Sequence, residues 1–114
     1  MTVVYVAGPM SGIPEFNFPA FVEAEKKLAD AGYDVISPTA KGKPEGDQYD
    51  GARPYEWYVR EDLKMLLEAD GVALLPGAQN SRGARMERQV AEFLKMPVGS
   101  VDEWCEGKIY DGDS

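Results

Sequence analysis

The sequence predicts an α/β fold, a mainly parallel sheet of four or five strands covered by helices on both faces. Three observations predict it. Short apolar runs alternate with helical patterns in the order β-α-β-(loop)-α-β-α-β. The first run, "TVVYVA" at 2–7, is β-branched and apolar with no polar alternation, as a strand buried on both faces requires. The stretches that follow the first three strands, "GPMSG", "SPTAKG" and "PGAQNSRG", are polar and loop-forming, which suits the ligand-binding edge of such a sheet.

The elements follow in order. "GPMSGIPEFNF" is rich in Gly and Pro and reads as a loop. A first helix starts near Pro19, with Phe21, Ala24, Leu28 and Ala31 as its apolar stripe and Gly32 suited to its C-terminal cap. "YDVISP" is a second strand closed by Pro38. Residues 39–54 have no apolar period and are expected to lie over a site, because they follow a strand end. A second helix is expected over 55–69, with Val59, Leu63, Leu66 and Leu67 as its stripe. "GVALLP" at 71–76 is the third strand, residues 81–95 the third helix and "MPVGSV" at 96–101 a weak fourth strand. The expected organisation is one domain over 1–101 and an acidic tail over 102–114, docked by Trp104 and Ile109.

Composition narrows the chemistry. The net charge is −8, so a role on DNA or RNA, which needs a basic patch, is not expected. A single nucleotide remains possible, because a few backbone N–H groups at a helix start can hold one phosphate. No apolar run approaches the length of a membrane span, and no signal-peptide pattern precedes the first strand, so the expectation is a cytoplasmic protein with no membrane partner. There is no His and one Cys, Cys105, which excludes a Ser-His-Asp triad, a His-ligated metal and a Cys-cluster zinc site. No metal or cofactor is expected. Acid–base work must fall to Asp, Glu, Tyr or Lys.

Two carboxylates stand out. Residues three or four apart share a helix face. Glu87 shares its face with Ala84, Val90, Ala91 and Leu94, while Arg85, Arg88, Glu92 and Lys95 form the solvated stripe. Asp62 likewise interrupts the stripe of Tyr58, Val59 and Leu66. An inward carboxylate is costly unless paired or functional. It can cap a neighbouring helix, pair with an Arg or serve an oligomer interface. Two of them at neighbouring helix starts, beside one strand edge, can also form an acid/base or nucleophile pair. The turn "NSRG" offers Ser81 or Asn80 as N-cap, and Gly83 allows close backbone approach. Its N–H groups could hold a phosphate or the Glu87 carboxylate itself. Gly8 and Gly12 flank Ser11 in "GPMSG", which is neither a dinucleotide fingerprint nor a P-loop.

The stretches "VYVAGPMSG", "YVREDLKMLLEADGVALLPG" and "SRGARMERQVAEFLKMPV" resemble, in order and over about residues 2–99, the nucleoside 2-deoxyribosyltransferase superfamily, in particular its small phage and bacterial members. The resemblance implies a flavodoxin/Rossmann-like three-layer sandwich and cleavage of an N-glycosidic bond. It implies a nucleophilic Glu in an S/D-x-G-x-x-x-E-x-x-x-A setting, matched by Ser81, Gly83, Glu87 and Ala91. It implies an Asp that handles the base in a Y-x-x-x-D-L setting, matched by Tyr58, Asp62 and Leu63. Transferases of the family often carry further Asp residues before the nucleophile. "GAQNSRGAR" has none, and its Ser and small residues fit the branch that hydrolyses 5′-monophosphates.

The expected function is therefore cleavage of a (deoxy)nucleoside 5′-monophosphate, with Glu87 attacking C1′, Asp62 assisting the base, and water or another base as acceptor. The expected substrate-binding residues are Gly8, Pro9, Met10, Ser11, Gly12, Tyr58, Ser81 and Gly83. Arg82 or Arg85 is a charge partner for the phosphate, and Tyr5 and Phe16 are candidates for stacking. A catalytically inactive nucleotide or nucleotide-sugar binding protein is the alternative. The resemblance also implies a homodimer or higher homo-oligomer, for which the aromatic start of the second helix, Tyr55, Trp57 and Tyr58, offers surface.

Overall fold

A computed structural model describes residues 2–10, 13–38 and 54–109, the side chains of Phe16 and Tyr55 excepted. Ser11, Gly12 and the expected loop up to residue 53 lie outside the described residues, as do the side-chain roles proposed for Phe16 and Tyr55.

The four strands β1 (Val3–Ala7), β2 (Asp34–Ile36), β3 (Gly71–Leu74) and β4 (Val98–Ser100) form one sheet in the order β2-β1-β3-β4. All pairings are parallel; Val4 of β1 lies beside both Val35 of β2 and Gly71 of β3, and Val72 of β3 lies beside Val98 of β4. The helices are α1 (Phe18–Asp30), α2 (Tyr55–Leu67), α3 (Arg82–Phe93) and α4 (Val101–Cys105). Short 3-10 turns cover Pro14–Asn17 and Ala78–Asn80.

Strand alternation sorts the core into two halves. Val4, Val6 and Ala73 point to one face, where Phe21, Ala24 and Leu28 of α1 meet Val101 and Trp104 of α4. Tyr5, Ala7 and Val72 point to the other, against Met65 and Leu66 of α2 and Ala84 and Ala91 of α3. The result is a flavodoxin/Rossmann-like three-layer sandwich with a four-stranded parallel sheet. The chain leaves β1 toward β2 on one side and places β3 and β4 on the other. The strand order therefore reverses at β1 and β3, and their carboxyl ends frame the crevice where such folds bind ligands.

Helix caps explain most of the boundaries. Gly32 has φ 103°, and the Tyr33 and Gly32 N–H groups donate to the carbonyls of Leu28 and Ala29, a Schellman end to α1. Ala31, expected in the α1 stripe, is exposed because it caps the helix instead of continuing it. In α2, Met65 is buried, whereas Leu67, expected in the stripe, is 61% exposed. The two flank Leu66 by about 100° on either side, and the fold covers only the Met65 side. Leu94, expected inward on α3, caps that helix and is 47% exposed.

The packed core extends beyond residue 101. A capping box between Ser100 and Glu103 opens α4. Trp104 is fully buried, its Nε1–H donates to Val72 O at 2.8 Å, and Tyr33 stands edge-on to it at 5.4 Å. A Cβ at Gly71 would lie 2.6 Å from the Trp104 ring, so β3 needs glycine there. Ile109 packs over Gly99 of β4 in the same way. Among the described residues no helix is long and apolar enough to cross a membrane.

Candidate active site

α3 begins where the spacing of "NSRG" placed it. Ser81 is the N-cap: its backbone is extended, and its Oγ accepts the Ala84 N–H at 3.2 Å. The 3-10 turn Ala78–Asn80 delivers the chain from β3 to this cap. Arg82 and Arg85 face solvent. From the N-cap the helical period turns Ala84, Glu87 and Ala91 toward the sheet.

Glu87 is only 5% exposed. Its Oε2 accepts the Tyr5 hydroxyl at 2.8 Å. Burial pushes its pKa up from an ordinary 4.5 to about 8; the charge of Asp62 pushes in the same direction, and the Tyr5 hydrogen bond opposes both. Asp62 is half-buried on α2, near enough that its charge acts on Glu87. Of the two inward carboxylates read from helical spacing, Glu87 is thus held by the middle residue of β1, and Asp62 is near enough for its charge to act on it. Tyr58, one turn before Asp62, is half-buried, with its ring edge-on to Trp57 at 5.2 Å.

Tyr5 has a different place from the stacking role expected of it. It is fully buried within β1, so its ring cannot receive a ligand. Its hydroxyl instead holds Glu87. The signal was present in the sequence: a Tyr in the middle of a strand buried on both faces needs an internal acceptor for its O–H, and an inward carboxylate is one.

The segment after β1 is tied to the segment after β3. Leu75 N–H donates to Ala7 O at 2.9 Å. A Cβ on Gly8 would meet Leu75 Cβ at 2.7 Å, so glycine permits this close approach. Pro9 lies against Gly77, which has φ 87°. Gly8, Pro9 and Met10 are half-buried there. Of the expected binding residues, Gly8–Met10 thus pack against the chain that follows β3, while Ser81 and Gly83 open α3, the helix that carries Glu87.

Two clefts lined by described residues include neither Glu87 nor Asp62. The larger, about 590 Å³, runs between α1, the end of β3 and β4–α4, with Lys27, Gln79, Arg88 and Asp102 on its rim. The smaller, about 260 Å³, lies between the end of β3 and α3, beside Arg85, Arg88 and Gln89. Arg85 thus lines a cleft that does not include Glu87. Among the described residues no group of three or more His, Cys, Asp or Glu side chains is arranged to hold a metal ion.

Comparison with known proteins adds the family. Residues 2–100 match DUF4406, described as a domain of unknown function. No curated protein matches the chain. Among solved structures, a 2-deoxyribosyltransferase from the psychrotolerant bacterium Bacillus psychrosaccharolyticus is similar, at 26% identity and a TM-score of 0.63, over 85% of this chain and 69% of that one. A conserved protein from Enterococcus faecalis V583 shares the fold at 21% identity and a TM-score of 0.58, over 86% of this chain and 61% of that one. The chain belongs to the DUF4406 family, on a fold that places it in the nucleoside 2-deoxyribosyltransferase-like superfamily.

Proposed function

We propose that the protein cleaves the N-glycosidic bond of a (deoxy)nucleoside 5′-monophosphate, with Glu87 as nucleophile and Asp62 as the group that assists the base. The observation that carries this reading is a buried carboxylate, held by Tyr5 and raised in pKa by burial and by Asp62, at the switch point of a parallel sheet. Similarity to a 2-deoxyribosyltransferase supports glycosyl transfer as the reaction class.

The pair holds one proton near neutral pH, as two carboxylates that share a site do. In the productive arrangement that proton sits on Asp62. Glu87, ionised and oriented by Tyr5, attacks C1′ as the bond to the base breaks. The electron pair of that bond leaves with the base, and Asp62 supplies its proton. A glycosyl ester on Glu87 results, and water or a second base then displaces it, following the logic of retaining glycosidases. Ser11, Ser81 and the N–H groups near Gly83 hold the phosphate, while Gly8–Met10, Gly12 and Tyr58 line the sugar and base. The Ser81 Oγ accepts an N–H at the helix cap and so keeps its own proton to donate. We place the protein in a homo-oligomer that uses the start of α2, where Trp57 and Tyr58 are half-buried.

Incubation of wild type and Glu87→Ala with dCMP, dGMP and their ribonucleotide analogues tests this. Free base is expected from wild type and not from the variant. Equal release by both overturns the mechanism. A second reading, nucleotide binding without turnover, is favoured by the near-complete burial of Glu87. Its signature is a rise in melting temperature with a nucleotide and no base released by wild type.

A further inference from the structure

The segment Gly8–Met10 is held on one side by packing. Gly8 lies on Leu75, and Pro9 lies on Gly77. On its other side a side chain reaches it: Asn17 Nδ2 donates to Pro9 O at 3.0 Å. The Ile13 N–H donates to Met10 O at 3.3 Å, so the chain beyond the segment closes back on it.

Asn17 is an unusual residue for its place. It occupies the N-cap position of α1, where Asn is a preferred capping residue, yet its side chain makes no cap hydrogen bond. It turns back to Pro9 instead. Its backbone is left-handed, at φ 63° and ψ 18°, and Glu15 two residues earlier is left-handed as well, at φ 57°. Strained backbone of this kind persists where the surrounding structure over-determines it. Glycine would adopt the conformation more easily but has no donor. Asparagine tolerates it and brings an amide. Because Pro9 O can only accept, the NH₂ end of the amide must face it.

We propose that Asn17 is a positioning residue, which gives up its helix cap to fix Gly8–Met10 in the shape that receives substrate. What the segment binds rests on the nucleotide reading above; the hold itself does not.

Two variants separate the roles. Asn17→Gly keeps the left-handed backbone and removes the donor. Asn17→Asp keeps the side-chain shape but sets an acceptor against Pro9 O. Amide hydrogen exchange at Met10 and Ile13, followed by NMR, reads the hold directly, and dCMP and dGMP turnover reads its consequence. Both variants are expected to exchange faster at these amides. Asn17→Gly is expected to melt within about 3 °C of wild type and to raise KM about fivefold with kcat nearly unchanged, the pattern of one lost ground-state hydrogen bond. Unchanged exchange in both variants overturns the proposal. Faster exchange with unaltered KM also overturns it, and so does a loss of kcat that tracks a loss of melting temperature. If wild type neither binds nor cleaves a nucleotide, the nucleotide reading fails, and the exchange rates alone decide whether Asn17 holds the segment.

Discussion

The Tyr5 hydroxyl donates to Glu87 Oε2 at 2.8 Å, joining the first strand to the third helix across 82 residues of sequence. Both groups are buried, and the bond favours the ionised carboxylate against burial and the charge of Asp62. Removing it should leave the packing nearly intact, because Phe fills the same volume. Tyr5→Phe is therefore expected to raise the Glu87 pKa above about 8. In the proposed reaction the pair must keep its one proton for the leaving base, so wild-type kcat/KM should fall as pH rises through about 8. The fall should move to higher pH in Tyr5→Phe. A pH profile of base release checks this, and coincident profiles would show that Tyr5 does not act on Glu87.

Glu87 also ties stability to pH. Its folded pKa lies above its unfolded value, so the folded chain holds this proton more tightly. The associated stability is full below about 4.5 and is lost as pH rises toward about 8. Each tenfold difference in proton affinity between the folded and unfolded chain is worth about 1.4 kcal/mol, which makes the loss roughly 3 kcal/mol or more. Glu87→Gln cannot ionise, so its stability should fall less over that window. Urea unfolding of both proteins at pH 5 and pH 8.5 measures the difference; parallel pH dependence in the two would contradict it.

Trp104 anchors the far face of the sheet. Trp104→Ala is expected to cost about 4 kcal/mol, the range for a large aromatic removed from a packed core. The cost includes the bond from Nε1–H to Val72 O and the contact with Gly71. Deletion of residues 102–114 should be at least as damaging. Urea midpoints read both, and a stable truncated chain would show that α4 is dispensable.

Lys95 closes α3 in the left-handed region, at φ 62°, with the Met96 N–H donating to Ala91 O. This is the position where glycine is preferred. Lys95→Gly is expected to stabilise the fold by about 0.5 to 1 kcal/mol, read as a higher urea midpoint with an unchanged slope.

Much of the candidate site's geometry was legible because helical period is a local property. The face that holds Glu87 also holds Ala84 and Ala91, and that requires only 3.6 residues per turn. Ser81 as cap, Gly32 as helix end and the unalternating first strand are likewise set by residues close in sequence. Failures came where a local pattern was carried past an element's end, as at Ala31 and Leu94, or where a neighbouring element decided which side was covered, as at Leu67. The 3-10 turn at Pro14–Asn17 was not legible, because two left-handed non-glycine residues have no compositional signature.

By itself, then, the sequence determined the alternation of strands and helices, the inward faces of Glu87 and Asp62, and the capped turn at Ser81. These depend on backbone periodicity and on side chains bonding within a few residues. Only the tertiary structure decided that Tyr5 is the donor to Glu87, that Asp62 lies close enough to act on its charge, that Trp104 belongs to the core, and that Asn17 turns from its helix to Pro9. Each of these joins groups from different elements, and their meeting depends on how the crossovers stack those elements against the sheet.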